Sequence, residues 1–463
     1  MITVLLRWLR GRSLLLISAE HALIVFAVVL SARIRLGDEA WEVFSEHHGF
    51  AKAVLIAAAC QLCFYYSDLY DVRAIDRREL FNRVVQALGG ASLLLAAVYF
   101  LLPSLVVGRG VFIIAAAFVV TLLIGWRLAF GWLVNRMDPR ERLLLVGTGA
   151  AAVALARELF DRRQELGVSI VGFVDPDPAK VGTPVLNPGV IGTIDDIPTI
   201  VRERSVDRVV VSLSDARGKL PMDRLLEMKM QGVTFDHLAS VYEDYTGKIA
   251  VENLRPSWLI FSPGFHKTPL LLTAKRTLDL AASAFGLVVA APIMALVALA
   301  VKLTSDGPAL YHQNRVGRDD RVFTLHKFRS MRADAEAASG AVWATDKDPR
   351  LTPIGGALRK FRLDELPQLW NVLRGDMSLV GPRPERPEFI AQLSEQIPFY
   401  RRRHVVKPGL TGWAQVRYPY GSTVEDAMEK LQYDLFYIKH MSIGLDLFIA
   451  VKTIKTIVTR AGL

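Results

Sequence analysis

Cysteine is scarce in this sequence, and its scarcity limits the kinds of protein that the chain can be. Only Cys60 and Cys63 occur among 463 residues, which excludes a disulfide framework. Both lie inside an apolar run, so we interpret them as small buried residues rather than as a redox or metal pair. A signal-peptide cleavage pattern is also missing near the N-terminus, and further apolar segments follow the first one.

Acidic residues are outnumbered as well, 46 against 56 lysines and arginines, which gives a net charge of +10. Hydrophobic residues make up 52% of the chain and concentrate in the first 135 residues and in one later run. With so many apolar segments, the basic balance favours anionic lipid and phosphorylated ligands over nucleic acid. We therefore expect a multidomain membrane α/β protein.

Four apolar segments predict a four-helix transmembrane bundle over residues 1–135. They cover approximately residues 13–32, 50–67, 85–107 and 111–134, and each is near the length of about 20 residues that crosses a bilayer. Glu20 and His21 interrupt the first segment. Polar residues at that depth serve either a functional path or helix packing, and the sequence leaves both interpretations open.

The placement of arginine predicts the orientation of these helices. Arginines precede the first segment, separate the second from the third and follow the fourth: Arg7, Arg10 and Arg12, then Arg73, Arg77, Arg78 and Arg83, then Arg136, Arg140 and Arg142. In the loop between the first and second segments, acidic residues balance Arg33 and Arg35. The loop between the third and fourth segments has only Arg109. Because positive residues stay inside, the N-terminus and the chain after residue 135 are predicted to be cytoplasmic.

Residues 136–268 have the pattern of a Rossmann-like, doubly wound α/β module. A short apolar strand ends at Val146 and runs into the turn Gly147-Thr-Gly149, and a second strand ends at Asp175. Such a turn places backbone N–H groups where phosphate can bind, but a tight turn without a ligand needs the same glycines. We interpret the module as regulatory or structural and leave nucleotide binding open.

A later apolar run, residues 281–301, is long enough to cross a membrane. Pro292 lies close to its middle, where a missing backbone donor favours a bend. If this run crossed, the basic segment after it would lie on the far side of the membrane. We therefore predict a re-entrant helix over residues 275–303, with a fifth crossing helix as the alternative.

Residues 304–420 carry a combination of residues that indicates phosphate chemistry. Five basic side chains lie in or beside segments of low helical tendency, and arginine forks match phosphate oxygens: Arg315, Lys327, Arg329, Arg359 and Arg383. The adjacent carboxylates Asp364 and Glu365 diverge on a helix, so one can face a substrate and the other a neighbour or a metal. A carboxylate can attack phosphorus, and Mg²⁺ held by this pair would neutralise a diphosphate. Two ordinary acids at a helix start are the alternative.

The most specific motif is LDELPQLWNVLRGDMSLVGPRP, residues 363–384. Over residues 271–463 the chain resembles the catalytic domain of the bacterial polyprenyl-phosphate sugar-1-phosphate transferases, the monotopic phosphoglycosyl transferases. Its whole layout is similar to the large undecaprenyl-phosphate glucose phosphotransferases of exopolysaccharide assembly. The resemblance implies a mostly α catalytic domain, residues 269–463, that moves a hexose 1-phosphate, such as glucose or galactose 1-phosphate, from a UDP-sugar to undecaprenyl phosphate and releases UMP.

The resemblance also implies roles for individual residues. Asp364 would be the nucleophile that forms a phosphosugar-aspartyl intermediate, and Glu365 would assist in proton handling or in positioning Mg²⁺. Arg359 and Arg383 would bind phosphate. The lipid phosphate would approach the polar start of the re-entrant helix at Lys275, Arg276 and Asp279.

The chain departs from the family pattern in two places. Ala291 precedes Pro292 where relatives often have serine, and the segment after Gln415 differs, so no family role is carried onto Arg417. Near the C-terminus, residues 445–458 are amphipathic, which fits an interfacial helix or a plain packing helix.

Three other functions compete with the transferase. A membrane-bound nucleotide-sugar dehydratase would need a Tyr-xxx-Lys pair, but Tyr242 and Tyr245 precede Lys248 at other spacings. A non-catalytic scaffold for polysaccharide assembly would not need both carboxylates, and a transporter would need more than four spans. The expected partners are a UDP-sugar, undecaprenyl phosphate and lipid of a bacterial inner membrane, with a homodimer left open and no nucleic acid.

Overall fold

A computed structural model describes residues 11–45, 48–70, 77–137, 141–212, 222–251, 262–332, 334–335, 348–418, 421 and 423–459. The chain divides into two compact units, Met1–Leu238 and Ala239–Leu463. Residues 239–251, which the sequence places in the nucleotide-fold module, therefore pack with the C-terminal unit. One reason is that the buried indole of Trp413 donates a hydrogen bond of 2.8 Å to the carbonyl oxygen of Gly247.

The first unit begins with α1 (Gly11–Leu36), α2 (Glu39–Ser45), α3 (Gly49–Tyr66), α4 (Arg77–Leu101) and α5 (Arg109–Met137). All but α2 contain stretches long and apolar enough to cross a membrane. α1 packs against α3 and α5, α3 packs against α4, and one cluster of buried apolar side chains includes all four. The third apolar segment was predicted to reach residue 107, but α4 ends at Leu101 because Pro103 starts a separate 3-10 turn.

Glu20 and His21 take part in helix packing. The fully buried carboxylate of Glu20 in α1 pairs with Arg127 of α5 at 2.7 Å, and His21 forms a hydrogen bond of 2.8 Å with Gln61 of α3. Of the two alternatives that the sequence left open for these residues, these contacts support packing. Cys60 is buried and Cys63 is half-buried, and both are free thiols.

A five-stranded parallel sheet follows in the first unit. Its strands are β1 (Glu141–Val146), β2 (Val168–Asp175), β3 (Val190–Thr193), β4 (Arg208–Val211) and β5 (Thr234–His237). Their order is β3-β2-β1-β4-β5, which is the order of a doubly wound nucleotide-binding fold. The last four residues of β1 are fully buried, as expected for a parallel strand covered on both faces. The predicted Rossmann-like module is therefore confirmed.

Helices connect these strands and cover the sheet. They are α6 (Ala150–Asp161), α7 (Arg163–Leu166), α8 (Ile197–Glu203) and α9 (Met222–Met230). α6 begins directly after the glycine-rich turn, and its apolar face, which includes Leu155 and Leu159, is fully buried. This strand, turn and helix succession agrees with the sequence prediction.

The second unit begins with α10 (Leu238–Thr246) and a helix of 36 residues, α11 (Pro269–Thr304). The Thr268 hydroxyl caps its first turn by accepting from the Leu271 N–H, and the helix continues through Pro292. α11 is the fifth helix long and apolar enough to span a membrane among the described residues. Helical assignment alone does not test the predicted bend at Pro292, which stays a prediction.

Short strands and helices complete this unit. β6 (Leu310–Val316) and β7 (Val322–Phe328) form an antiparallel hairpin, and β8 (Ser378–Val380) pairs in parallel with β9 (Gly409–Thr411). The helices are α12 (Gly355–Lys360), α13 (Gln368–Arg374), α14 (Pro387–Gln396), α15 (Trp413–Arg417), α16 (Val424–His440) and α17 (Ile443–Thr459). The unit is mostly α, as predicted.

Replacing Glu20 by alanine is expected to destabilise the helices of the first unit by about 3 kcal/mol, because Arg127 would stay buried without its counter-ion. Thermal unfolding of the full chain in detergent measures this loss. Asp38→Ala is the matched control, because it breaks an exposed pair with Arg33 whose N–O distance, 2.7 Å, is the same. Equal shifts of the unfolding midpoint for the two variants would contradict the packing role of Glu20.

Candidate active site

Asp364 and Glu365 lie in a short 3-10 helix, Leu363–Glu365, immediately before α13. Pro367 precedes α13 and has no backbone N–H, so the short helix does not merge with α13. In a 3-10 helix consecutive side chains point about 120° apart. The two carboxylates therefore face different surroundings, as their adjacency in the sequence predicted.

The Asp364 side chain is buried, and its Oδ1 atom has no hydrogen-bond partner among the described residues. Burial and the neighbouring Glu365 carboxylate raise the pKa of Asp364 to about 6, against the opposing charges of Lys327, Arg383 and Arg359. A carboxylate oxygen that accepts no hydrogen bond and is surrounded by cations can attack an electrophile, because no hydrogen bond has to be broken first. Asp364 thus has the environment of a nucleophile.

Glu365 has a different environment. Its Oε1 atom accepts from Nη2 of Arg383 at 2.5 Å, and its side chain is 15% exposed. Burial opposes the charged form, but Arg383, Arg362 and Lys327 together outweigh burial, and the pKa of Glu365 lies below its ordinary value. Glu365 is therefore a stable carboxylate that fixes the Arg383 side chain, rather than a group poised to exchange a proton.

Lys327 and Arg359 supply further positive charge near Asp364. Lys327 lies on β7 directly opposite Tyr311 of β6, and its Nζ atom is 5.1 Å from the centre of the Tyr311 ring. Burial lowers the pKa of Lys327 to about 8. The side chain therefore remains mainly protonated at neutral pH and can bind a phosphate oxygen.

Arg315 and Arg329 were predicted to bind phosphate, and each has protein partners in the structure. Arg315 donates to Gln313 at 2.7 Å and to the carbonyl oxygen of Pro384 at 2.9 Å. The buried Arg329 donates to the carbonyl oxygen of Ser305 at 2.8 Å. These contacts fix the backbone next to β6 and α11, and a phosphate role for either arginine stays a prediction.

The polar start of α11 binds other parts of the same unit. Lys275 donates to Asp446 of α17 at 2.5 Å and to the carbonyl oxygen of Val380 at 2.9 Å. The buried hydroxyl of Tyr437 lies within hydrogen-bond distance of the same two acceptors, 2.7 Å from Asp446 and 3.0 Å from the Val380 carbonyl oxygen, and shares its one proton between them. The sequence did not single out Asp446 or Tyr437, whose only signal is a polar atom on an otherwise apolar helix face.

Arg276 and Asp279 are similarly engaged. Arg276 donates to the carbonyl oxygens of Val372 and Leu373, at 2.7 and 2.8 Å, at the C-terminal end of α13. The buried Asp279 accepts from the backbone N–H of Leu379 at 2.9 Å. The structure thus gives the three predicted lipid-phosphate residues a structural task, and their contact with lipid phosphate stays a prediction.

The described residues contain no group of three or more histidine, cysteine or acidic side chains that could hold a metal. Mg²⁺ is usually held by one or two carboxylates together with substrate phosphates. The unpartnered Oδ1 of Asp364 and the adjacent Glu365 fit that mode when a diphosphate supplies the other ligands. The predicted Mg²⁺ site is compatible with these residues and depends on the substrate.

The residues considered for a dehydratase do not form its catalytic pair. Lys248 is buried and forms an ion pair with Glu429 at 2.7 Å, and the Tyr242 hydroxyl lies 3.5 Å from Gln432. All four residues belong to the second unit, whereas the glycine-rich turn belongs to the first. Their contacts attach residues 239–251 to α16.

Side chains in and beside the glycine-rich turn of the nucleotide fold form hydrogen bonds with one another. Asp175, at the end of β2, accepts from the Thr148 hydroxyl at 2.5 Å and from Lys180 at 3.2 Å. The carboxylate that would bind a ribose hydroxyl is therefore already occupied by protein donors. This arrangement agrees with a structural or regulatory module, and nucleotide binding by it is untested.

The chain thus combines helices long and apolar enough to cross a membrane with a buried aspartate surrounded by cations. The sequence model of the family described as bacterial sugar transferase matches residues 270–460. A second model, described as a CoA-binding domain, matches residues 66–226. The first match covers most of the second unit and includes Asp364, Glu365 and the three cations whose charges act on Asp364, namely Lys327, Arg359 and Arg383.

Curated relatives extend this match over most of the chain. A UDP-N-acetylgalactosamine-undecaprenyl-phosphate N-acetylgalactosaminephosphotransferase of Aeromonas hydrophila is 40% identical over 55% of this chain and 60% of its own length. An undecaprenyl-phosphate glucose phosphotransferase of Komagataeibacter xylinus is 36% identical over 73% and 64%. A UDP-glucose:undecaprenyl-phosphate glucose-1-phosphate transferase of Escherichia coli (strain K12) is 32% identical over 71% and 70%.

The chain belongs to the bacterial sugar transferase family. This confirms the resemblance predicted from the motif at residues 363–384. The matched segments span less than two thirds of the Aeromonas and Komagataeibacter relatives, 60% and 64% of their lengths.

Asp364→Asn is expected to raise the free energy of unfolding by roughly 1–3 kcal/mol at about pH 7.5, because it removes a buried charge whose pKa is raised. In the native protein Asp364 takes up a proton as the pH falls from its folded-state pKa of about 6 toward its ordinary pKa of 3.8. The stability advantage of Asp364→Asn therefore shrinks over that range. Thermal unfolding in detergent across this pH range measures the effect.

Glu365→Gln is the matched control for this prediction. The pKa of Glu365 is lower in the folded protein than its ordinary value of 4.5. Its carboxylate therefore stabilises the fold at any pH above 4.5, and this contribution is lost as the pH falls through the lower pKa of the folded state. Glu365→Gln should therefore destabilise the protein at neutral pH, opposite in sign to Asp364→Asn. Destabilisation by both variants would contradict the distinction drawn between the two carboxylates.

Proposed function

We propose that this protein transfers a sugar 1-phosphate from a UDP-sugar to undecaprenyl phosphate, giving undecaprenyl-diphosphate-sugar and UMP, and so initiates the assembly of an exopolysaccharide. The observation that carries the proposal is the buried, hydrogen-bond-free Oδ1 of Asp364 among Lys327, Arg359 and Arg383. The activities for which the relatives are named, with glucose and N-acetylgalactosamine as sugars, support the same reaction class.

The reaction has two displacements at one phosphorus atom. The Asp364 carboxylate attacks the sugar-bearing phosphorus, the bond to the bridging oxygen breaks, and UMP leaves with the electron pair. A phosphate oxygen of undecaprenyl phosphate then attacks the same phosphorus, and the acyl-phosphate bond breaks to regenerate Asp364. Each step conserves charge and needs no external oxidant or base.

The surrounding side chains stabilise the charge that develops on the phosphate oxygens. Arg383, Arg359 and Lys327 are the cations whose fields reach Asp364. Glu365 holds Arg383 in place through the 2.5 Å contact. Mg²⁺, held by Asp364 and Glu365 with the diphosphate, would neutralise the UMP leaving group.

Membrane attachment on one face of the bilayer is part of the proposal. Val301, near the end of α11, is fully buried in a cluster with Phe328 and Leu358, while Lys275, near its start, binds Val380. Both ends of α11 thus contact the same unit, which supports re-entry rather than crossing. The middle of α11 exposes apolar side chains to lipid: Phe285, Val288, Leu296 and Leu299.

We infer that α1, α3, α4 and α5 cross the inner membrane and that α11 re-enters it from the cytoplasm. The arginine distribution supports this orientation. UDP-sugars are cytoplasmic substrates, so the catalytic unit would meet its donor on that side. The nearby end of α11 would bring the lipid phosphate to the same surface.

Asp364→Asn is expected to lower sugar-phosphate transfer by at least about 10³-fold, because the nucleophile is lost. Membranes are incubated with radiolabelled UDP-glucose, UDP-galactose or UDP-N-acetylgalactosamine, undecaprenyl phosphate and Mg²⁺, and lipid-linked label and UMP are followed. Asp319→Asn is the control, since Asp319 is an exposed aspartate on a 3-10 turn. Normal turnover by Asp364→Asn would contradict the nucleophile assignment, and use of none of these donors would contradict the proposed reaction.

A separate experiment tests the metal. Transfer should stop when EDTA removes divalent cations and should return when Mg²⁺ is added.

Labelling of single cysteines tests the topology. In a background with Cys60 and Cys63 replaced, a cysteine at position 319 should react with an impermeant maleimide only after the membrane is opened. A cysteine at position 38, in the loop after α1, should react in intact cells. Both sites are exposed, 61% at Asp319 and 99% at Asp38, so access by itself does not distinguish them. Reaction at position 319 in intact cells would show that α11 crosses.

A further inference from the structure

Arg383 is the cation that contacts Glu365, so the position of its backbone decides whether that contact forms. Pro382 and Pro384 flank it. Proline fixes its own φ, and a following proline restricts the residue before it to extended backbone. The segment from Pro382 to Pro384 is therefore locally stiff, and its remaining freedom is movement as a whole relative to the carboxylates.

A buried arginine holds this segment from the other side. Arg403, on the 3-10 helix after α14, is 5% exposed and its Nη2 donates to the Arg383 carbonyl oxygen at 3.0 Å. Its Nη1 donates to the Tyr400 hydroxyl at 2.7 Å. Arg315 donates to the next carbonyl oxygen, that of Pro384. Two consecutive carbonyls beside the catalytic cation are thus fixed by arginine side chains.

Asp434 of α16 is the counter-ion of Arg403. The two side chains are 2.7 Å apart and only 2% and 5% exposed, respectively. An ion pair buried this deeply is a poor source of stability, because desolvation offsets its attraction and an apolar pair of similar volume serves as well. Its use next to Arg383 therefore points to a geometric task that an apolar pair cannot perform, namely donation to a carbonyl oxygen.

We propose that Arg403, held by Asp434 and Tyr400, is a positioning residue that sets the reach of Arg383 toward Glu365 and Asp364. The proposal rests on the proposed function, since it assigns Arg403 to the same reaction. Arg403 touches neither carboxylate and acts only through the Arg383 backbone. A shift of the 382–384 segment by about 1 Å would break the contact to Glu365 and misplace a phosphate-binding cation.

Arg403→Lys is the main variant, because lysine keeps the buried positive charge opposite Asp434 but cannot donate simultaneously from two fixed nitrogens. We expect kcat to fall about tenfold with KM for the UDP-sugar changed less than about twofold. Tyr400→Phe, which removes one acceptor of Arg403, should give a smaller change in the same direction.

Arg402→Lys is the matched control, because Arg402 is the neighbouring arginine of the same 3-10 helix and is exposed. It should leave kcat and KM unchanged. Hydrogen–deuterium exchange of the purified full chain in detergent supplies a readout without turnover. Peptides that contain residues 381–386 should exchange faster in Arg403→Lys than in Arg402→Lys.

A double-mutant cycle shows whether Arg403 acts through Arg383. In an Arg383→Ala background, Arg403→Lys should lower the remaining activity by less than about twofold, whereas independent action would give the same tenfold loss as in the native background. An additive cycle, or an Arg403→Lys enzyme with native kcat, would overturn the proposal. Absence of transfer by the native protein would overturn the reaction instead, and the exchange measurement would still test the positioning.

Discussion

Burying a carboxylate costs free energy unless cations or hydrogen bonds compensate it, and Asp364 has cations without a hydrogen bond to Oδ1. Such an anion remains available for a bond to an electrophile, because forming that bond does not require a hydrogen bond to be broken. The cations that stabilise its negative charge also attract phosphate.

Hydrogen bonds connect the start of α11 to β8, the strand that precedes the segment from Pro382 to Pro384. Lys275 of α11 and Tyr437 of α16 both donate to the carbonyl oxygen of Val380, three residues before Arg383. Asp279 of α11 accepts from Leu379 in the same strand. The start of the membrane helix is therefore fixed to the strand that leads to the phosphate-binding segment. Lipid attachment and active-site geometry depend on one set of buried contacts.

The two adjacent carboxylates have separate tasks, and the separation comes from their partners. Arg383 engages Glu365 directly and keeps its pKa below the ordinary value, while burial raises that of Asp364. Had the arginine contacted Asp364 instead, the nucleophile would be paired and less reactive. In the proposed reaction, the position of the segment from Pro382 to Pro384 thus leaves Asp364, rather than Glu365, free of the arginine contact.

The sequence by itself determined the family, the apolar helices and the parallel-sheet module. It also singled out Asp364 and the four charged residues whose fields act on it in the structure: Glu365, Lys327, Arg359 and Arg383. These follow from local patterns: hydrophobic run length, strand and glycine-turn succession, and a specific motif. Helix ends such as that of α4 were less well predicted, because one proline shifted the boundary by several residues.

Only the tertiary structure decided what each polar residue contacts. Lys275, Arg276 and Asp279 resemble phosphate ligands in the sequence, but the fold brings backbone carbonyls, an N–H group and Asp446 against them. Arg403, Asp434 and Tyr437 carry no motif, yet they hold the catalytic segment from positions distant in sequence. A side chain's partner depends on which distant backbone groups are left without hydrogen bonds after packing, and local sequence does not contain that information.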